Sequence, residues 1–130
     1  MSLQAGNSFE ASCPLLHHRD HAMKNANVFV DVDMTLIDAN GRALDGAIES
    51  LQQLKDRGCH LFLWSTVGME YARATAQRLG IVELFEGYCS KPDIVIDDMP
   101  STVLNPFVFN VQTEESWPSM VRTILKKHID

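Results

Sequence analysis

Three pairs of side chains with chemical potential lie at or just beyond the ends of short apolar segments. The pairs are Asp31 with Asp33, Ser65 with Thr66, and Asp97 with Asp98. Lys91 precedes the last pair and supplies a positive charge. Carboxylates, hydroxyl groups and a lysine are the side chains that phosphoryl transfer around a divalent cation requires. If the fold gathers them, the sequence indicates chemistry on a phosphate group.

Asp31 and Asp33 are two positions apart, so in a continuing strand their side chains point to the same face. Two carboxylates that close repel each other, and therefore either one is protonated or a cation lies between them. No Cys or His occurs in these motifs, which favours a hard, oxygen-seeking ion such as Mg²⁺ over zinc. The alternative is a pair of turn residues on the surface.

Ser65 and Thr66 fall between a predicted strand and a predicted helix. Free backbone N–H groups and the helix dipole attract a phosphate at such a point, and a hydroxyl group can donate to its oxygens. The alternative is that Ser65 or Thr66 only caps the helix. Lys91 would hold the phosphate among the carboxylates and stabilise charge during its transfer, or else be an ordinary solvated lysine. Asp97 and Asp98 likewise allow the simpler interpretation of a turn.

The elements that must position these residues alternate between strand and helix. Apolar segments predict strands over residues 28–32, 60–64 and 94–96, with a fourth at 107–109. Helical spacing and capping residues predict helices over residues 44–57, 69–79 and 117–128. This alternation predicts a small doubly wound α/β domain with a parallel sheet. Ligands bind beyond the carboxyl ends of such strands, so we expect the pairs and the lysine to meet in one crevice.

The composition is that of one globular domain. The chain has 130 residues, of which 45% are hydrophobic and 22% charged. Residues 1–27 carry little apolar periodicity and predict a mobile N-terminal arm, which leaves residues 28–130 as the folded domain. The net charge of -6 argues against nucleic-acid binding. Three cysteines without a CxxC pair, and no apolar run near the ~20 residues that cross a bilayer, predict a cytoplasmic protein without a membrane partner.

The run Asp31-Val32-Asp33-Met34-Thr35 resembles the first motif of the haloacid dehalogenase superfamily, Asp-x-Asp-x-Thr, at the end of an apolar strand. Ser65 resembles the second motif, Lys91 the third, and Asp97-Asp98 the acidic pair of the fourth. The resemblance spans about residues 28–100 and implies a Rossmann-like fold of that superfamily. The aspartate at the second acidic position of the first motif is a resemblance to the phosphatases of the superfamily, because its dehalogenases lack an acid there.

The resemblance also implies a role for each residue. Asp31 would be the nucleophile that forms an aspartyl-phosphate, and Asp33 the general acid and later base. Mg²⁺ would be held by the Asp31 carboxylate, the backbone carbonyl of Asp33 and Asp98. Asp97 would position Lys91 or a metal-bound water, although the sequence leaves open which of the adjacent aspartates touches the metal. We therefore expect a Mg²⁺-dependent phosphatase that hydrolyses a phosphate monoester.

The intervals between these motifs are too short for the cap domain that many members of the superfamily carry. The resemblance then implies an open site that acts on a large substrate, or one that is covered by a neighbouring subunit in a homo-oligomer. A phosphoprotein, a nucleic-acid end and a phosphorylated sugar all remain open as substrates. One departure concerns Lys91, because only Pro92 and Asp93 separate it from the predicted strand, where many members have a whole helix.

Two other functions fit a domain of this size. A phosphoacceptor signalling domain of the response-regulator type also has an acidic metal site, a hydroxyl residue and a lysine. Such domains place the acidic pair on the first strand and the phosphorylated aspartate on the third, which is not the order here. The other alternative is a non-catalytic binding module that keeps the same fold and residues.

Overall fold

The structure, a computed structural model, describes residues 23–98 and 107–130. Its three strands are β1 (Asn27–Asp31), β2 (His60–Ser65) and β3 (Gly87–Ser90). Its α-helices are α1 (Ala47–Asp56), α2 (Met69–Leu79) and α3 (Trp117–Ile124). A 3₁₀ turn at Val82–Leu84 precedes β3, and a π-helical turn at Leu125–Ile129 extends α3. The predicted arm lies outside the described residues as far as residue 22.

The strands form an open parallel sheet in the order β1-β2-β3. Asp31 lies opposite Trp64, and Ser65 lies opposite Ser90. This register brings the carboxyl ends of all three strands to one edge of the sheet. α1 and α2 are the crossovers that parallel neighbours require. The α/β class is therefore confirmed, and the strands of the described part follow chain order.

The core lies on one face of the sheet, under the helices. Side chains along β2 alternate between partly buried and buried, and the buried ones are Leu61, Leu63 and Ser65. α1 and α3 pack against each other, and their contact depends on Gly46, which has a φ of 76°. A Cβ at this position would lie 2.8 Å from the ring of Pro118, so the two helices approach too closely for a larger residue.

The opposite face of the sheet carries a cluster of aromatic rings. The Phe29 and Phe62 rings stack with their centroids 4.9 Å apart, and the Trp64 ring lies 4.9 Å from that of Phe29. Phe29 remains 46% exposed. β1 and β2 thus turn one face toward the core, while the face that carries these rings stays partly exposed.

The predicted third strand is wrong. Residues 94–96 form no strand, and the exposed fractions of Ile94, Val95 and Ile96 are 82%, 65% and 95%. The third strand is Gly87–Ser90, whose sequence GYCS has no apolar run to reveal it. Its pairing with β2 comes from the backbone, which any sequence of suitable conformation supplies.

The predicted fourth strand is also wrong. Residues 107–109 lie in an irregular segment, although their rings are used in packing. The Phe107 ring stacks on His128 with a centroid distance of 4.2 Å, and Phe109 meets the same histidine edge-on at 5.9 Å. These aromatic residues therefore bind the end of the chain instead of extending the sheet. The closing helix agrees with the prediction, and Ser116 caps it by accepting a hydrogen bond from the Ser119 N–H.

Candidate active site

Asp31 is the last residue of β1, and two side chains contact its carboxylate. Lys91 Nζ lies 3.2 Å from Oδ1, and Thr35 Oγ1 donates to Oδ2 at 3.3 Å. Lys91 directly follows β3, and its backbone N–H donates to the Ser65 carbonyl at 3.0 Å. The Asp31 and Lys91 side chains are each about a third exposed, so water and a ligand can reach them. The fold thus brings an acid and a lysine that are far apart in sequence into direct contact.

The turn after β1 reverses the chain around a single carbonyl. The N–H groups of Thr35, Leu36 and Ile37 all approach the Val32 carbonyl, at 3.3, 2.9 and 3.1 Å. Met34 adopts a left-handed conformation with a φ of 61°, which is uncommon for a residue with a long side chain. Such strain persists only where the surroundings hold it.

The C-terminal segment provides that support. Gln112 Nε2 donates to the Met34 carbonyl at 2.6 Å, and Trp117 Nε1 donates to the Thr35 carbonyl at 2.8 Å. Trp117 is buried, which fixes its indole against the turn. The position of Asp31 and Asp33 therefore depends on α3 as well as on β1. Nothing in the sequence motif indicates this dependence.

Asp33 projects from the same turn and is exposed. Tyr71, in the first turns of α2, donates its hydroxyl hydrogen to Asp33 Oδ1 at 2.5 Å. The pKa of Tyr71 is raised, first because its hydroxyl group is committed to this bond and then because it is partly desolvated. Tyr71 was not identified from the sequence, where it reads as an ordinary helix residue.

Ser65 is 1% exposed, and its hydroxyl oxygen accepts a hydrogen bond from the Val67 N–H at 3.0 Å. The cap of α2 comes from elsewhere, because Ser90 Oγ accepts from the Met69 N–H at 3.0 Å. The interpretation of Ser65 or Thr66 as the cap of this helix is therefore wrong. Thr66 is exposed beside Ser65 and faces solvent at the same end of the sheet.

Asp97 and Asp98 are placed differently from the other predicted site residues. Both are exposed and follow a segment that is not part of the sheet. Within residues 23–98 and 107–130, no three His, Cys, Asp or Glu side chains are grouped as metal ligands. The structure thus supplies Asp31 and Asp33 at the end of β1, and neither Asp97 nor Asp98 forms a group of three possible metal ligands with them. The expected set of Mg²⁺ ligands is incomplete in this arrangement.

Lys91 also contacts the aromatic face of the sheet. Its Nζ lies 5.8 Å from the centroid of the Trp64 ring, within the range of a cation–π interaction. Since Trp64 is directly opposite Asp31 in the sheet, the lysine is held between a carboxylate and an aromatic ring. The Lys91 ammonium group therefore has a defined position before any anion binds.

A cleft of about 680 Å³ opens beside Asp33. One wall is the loop of residues 33–41, and the other is α2. The loop is braced by Asp38, whose carboxylate accepts from the N–H groups of Asn40 and Arg42 at 2.9 and 3.0 Å. These backbone bonds, that of Arg42 first, lower the pKa of Asp38. The cleft thus has a wall with its own internal hydrogen bonds.

Comparison with models of known protein families, with curated proteins and with solved structures found no match in any of the three. Among the helices of the described part, none is long and apolar enough to cross a membrane. The local arrangement is a carboxylate in contact with a lysine and a hydroxyl, with a second, hydrogen-bonded carboxylate nearby. Such an arrangement can bind an anion, supply an oxygen nucleophile and transfer a proton.

Proposed function

We propose that the protein is a Mg²⁺-dependent phosphatase that hydrolyses a phosphate monoester through an aspartyl-phosphate on Asp31. The observation that carries the proposal is the 3.2 Å contact between Asp31 and Lys91 at the carboxyl end of β1. A phosphate bound against this lysine lies next to a carboxylate oxygen, as an attack on phosphorus requires. The resemblance of the first motif to the haloacid dehalogenase superfamily agrees with this role.

The reaction has two balanced steps. In the first, an oxygen of Asp31 bonds to phosphorus, the bond to the ester oxygen breaks, and that oxygen takes a proton from Asp33. In the second, Asp33 removes a proton from water, the water oxygen attacks phosphorus, and the acyl-phosphate bond breaks to release Asp31 and inorganic phosphate. Lys91, Ser65 and Thr66 would hold the phosphate oxygens in both steps.

Charge balance supports a cation at the site. A phosphate monoester dianion beside Asp31 and Asp33 needs more positive charge than Lys91 supplies. Mg²⁺, when bound, supplies that charge. Its ligands would include the Asp31 carboxylate and the Asp33 carbonyl, whereas Asp97 and Asp98, which the sequence predicts as further ligands, follow a segment outside the sheet.

The substrate class follows from the exposure of the site. Asp31 and Lys91 are each about a third exposed, so a bulky phosphorylated molecule can approach them. The proposed substrates therefore include macromolecular as well as small phosphate esters. The proposal also includes an exposed site that a second copy of the chain covers.

The test is a panel of phosphate monoesters, with p-nitrophenyl phosphate as the first member. We expect turnover by purified protein with Mg²⁺, its loss in EDTA, and its loss in Asp31→Asn. Asp45→Asn is the matched control, because Asp45 is an exposed aspartate in the turn before α1. Equal inactivity of wild type and Asp31→Asn would favour a binding module. Stable phosphorylation of Asp31 without release of phosphate would favour a phosphoacceptor domain.

A further inference from the structure

The α2 wall of the cleft beside Asp33 carries a tyrosine at one end and an arginine at the other. Tyr71, Ala74 and Arg78 line it at the spacing of one helix face. Tyr71 is at the Asp33 end, where its hydroxyl group meets the carboxylate. Arg78 is at the loop end, where a guanidinium nitrogen lies 3.4 Å from the Cβ that a side chain at Gly41 would have. The cleft thus runs from the expected acid to an arginine.

Arg78 is placed differently from its neighbour Arg73 on the same helix. Arg73 forms an ion pair with Glu70 at 2.8 Å, whereas Arg78 has neither an ion pair nor a hydrogen bond within the described part of the chain. Its guanidinium group is exposed toward the cleft wall at Gly41. Toward residues 23–98 and 107–130 its guanidinium donors are uncommitted, and such donors bind a carboxylate or a second phosphate.

The bond from Tyr71 fixes which oxygen of Asp33 can act. Oδ1 accepts from the tyrosine hydroxyl, so Oδ2 is the oxygen left for a substrate to meet. An alkoxide that leaves from phosphorus must collect a proton from an acid beside it, and the space next to Asp33 is the cleft. The remaining charged group of the lining is Asp38, whose Oδ1 accepts two hydrogen bonds from backbone N–H groups of its own loop.

We propose that this cleft is the leaving-group subsite, in which Tyr71 positions Asp33 and Arg78 binds an anionic substituent of the departing alcohol. The inference rests on the proposed phosphatase function. Tyr71 is a positioning residue, since it acts through Asp33. The preferred substrates are phosphate monoesters whose alcohol carries a carboxylate or a second phosphate.

The role of Tyr71 is tested by comparing leaving groups. p-Nitrophenolate leaves without a proton, whereas an alkoxide needs one, so glycerol 3-phosphate depends on a well-placed acid. We expect Tyr71→Phe to lower kcat for glycerol 3-phosphate about tenfold or more and to change kcat for p-nitrophenyl phosphate less than about threefold. Tyr88→Phe is the matched control, because Tyr88 bonds to the Val82 carbonyl away from the cleft.

A double mutant separates positioning from a merely structural role. In an Asp33→Asn background, Tyr71→Phe is expected to cause no further loss with glycerol 3-phosphate, because the acid that it positions is already absent. A further loss of the same size as in wild type, or equal losses for both esters, would overturn the role of Tyr71. Thermal unfolding of each variant shows whether it remains folded. If Tyr71→Phe unfolds, Asp33→Asn alone still tests whether turnover of glycerol 3-phosphate depends on this acid more than turnover of p-nitrophenyl phosphate does.

The role of Arg78 is tested with two esters that differ in one group. 3-Phosphoglycerate carries a carboxylate where glycerol 3-phosphate carries a hydroxymethyl group. We expect Arg78→Gln to raise KM for 3-phosphoglycerate about tenfold and to leave KM for glycerol 3-phosphate nearly unchanged. Arg73→Gln, on the same helix, should affect neither. Equal KM changes for the two esters would contradict an anion subsite.

These outcomes are distinct from those that test the phosphatase itself. If Asp31→Asn is inactive while Tyr71→Phe and Arg78→Gln discriminate neither leaving groups nor substituents, the phosphatase stands and the subsite is wrong. If wild type turns over neither glycerol 3-phosphate nor 3-phosphoglycerate but does turn over another ester of the panel, the subsite is wrong and the phosphatase stands; if it turns over no ester of the panel, both proposals are wrong.

Discussion

Replacement of Lys91 by methionine separates its expected catalytic role from its contribution to folding. The ammonium group lies 3.2 Å from Asp31 Oδ1, and both side chains are about a third exposed. At this distance the Coulomb energy is about 1 kcal/mol with the dielectric constant of water and about 5 kcal/mol with an effective constant of about 20. Solvent exposure and the cost of ordering both side chains reduce the net contribution to folding to about 1 kcal/mol or less.

The effect on catalysis is expected to be much larger. Charge builds up on the transferring phosphoryl group, and removal of one fixed donor to such charge typically lowers rates about 10²–10³-fold, or about 3–4 kcal/mol. We therefore expect Lys91→Met to lower kcat/KM for p-nitrophenyl phosphate by that factor. The free energy of unfolding in urea should change by less than about 1 kcal/mol.

Two further variants make the result interpretable. Lys126→Met removes an exposed lysine at the end of the chain and should change neither quantity. Lys91→Arg keeps the charge and should recover part of the activity. Activity of Lys91→Met within about threefold of wild type would contradict the role of this lysine. So would a loss of folding stability large enough to account for the loss of activity.

Three further predictions concern folding and the support of the site. Gly46→Ala should lower the free energy of unfolding by about 1 kcal/mol or more, because it adds left-handed strain and a contact with Pro118; urea unfolding measures this. Trp117→Phe should cost about 1 kcal/mol and lower activity, because the Thr35 carbonyl loses its donor; an unchanged rate would contradict this coupling. Burial raises the pKa of the Cys59 thiol. The protonated Cys59 thiol therefore contributes fully to the free energy of unfolding below the pKa of about 8.5 that it has in the unfolded chain, and this contribution is lost as pH rises through its pKa in the folded state. Cys59→Ala should accordingly reduce the decline in the free energy of unfolding at alkaline pH.

Local sequence patterns were sufficient for the parts of the fold that bury a regular face. β1, β2 and α2 were predicted close to their observed bounds, because apolar residues at strand or helix spacing reflect the burial of one side. The same pattern failed at residues 94–96, where β-branched residues are exposed in an irregular segment. It also missed β3, a short edge strand that is held mainly by backbone hydrogen bonds.

The candidate site shows the same division. Asp31, Asp33, Ser65 and Lys91 are predicted as site residues from their order and their positions at the ends of apolar segments, and that assignment stays a prediction. Their contacts could not, because the pairing of Lys91 with Asp31 depends on the register of two strand pairs and on a backbone bond that continues β3. The bond from Tyr71 to Asp33 joins residues on different elements and leaves no periodic trace in the chain. Side-chain type and spacing are local properties, whereas a contact between distant residues is set by how the elements pack.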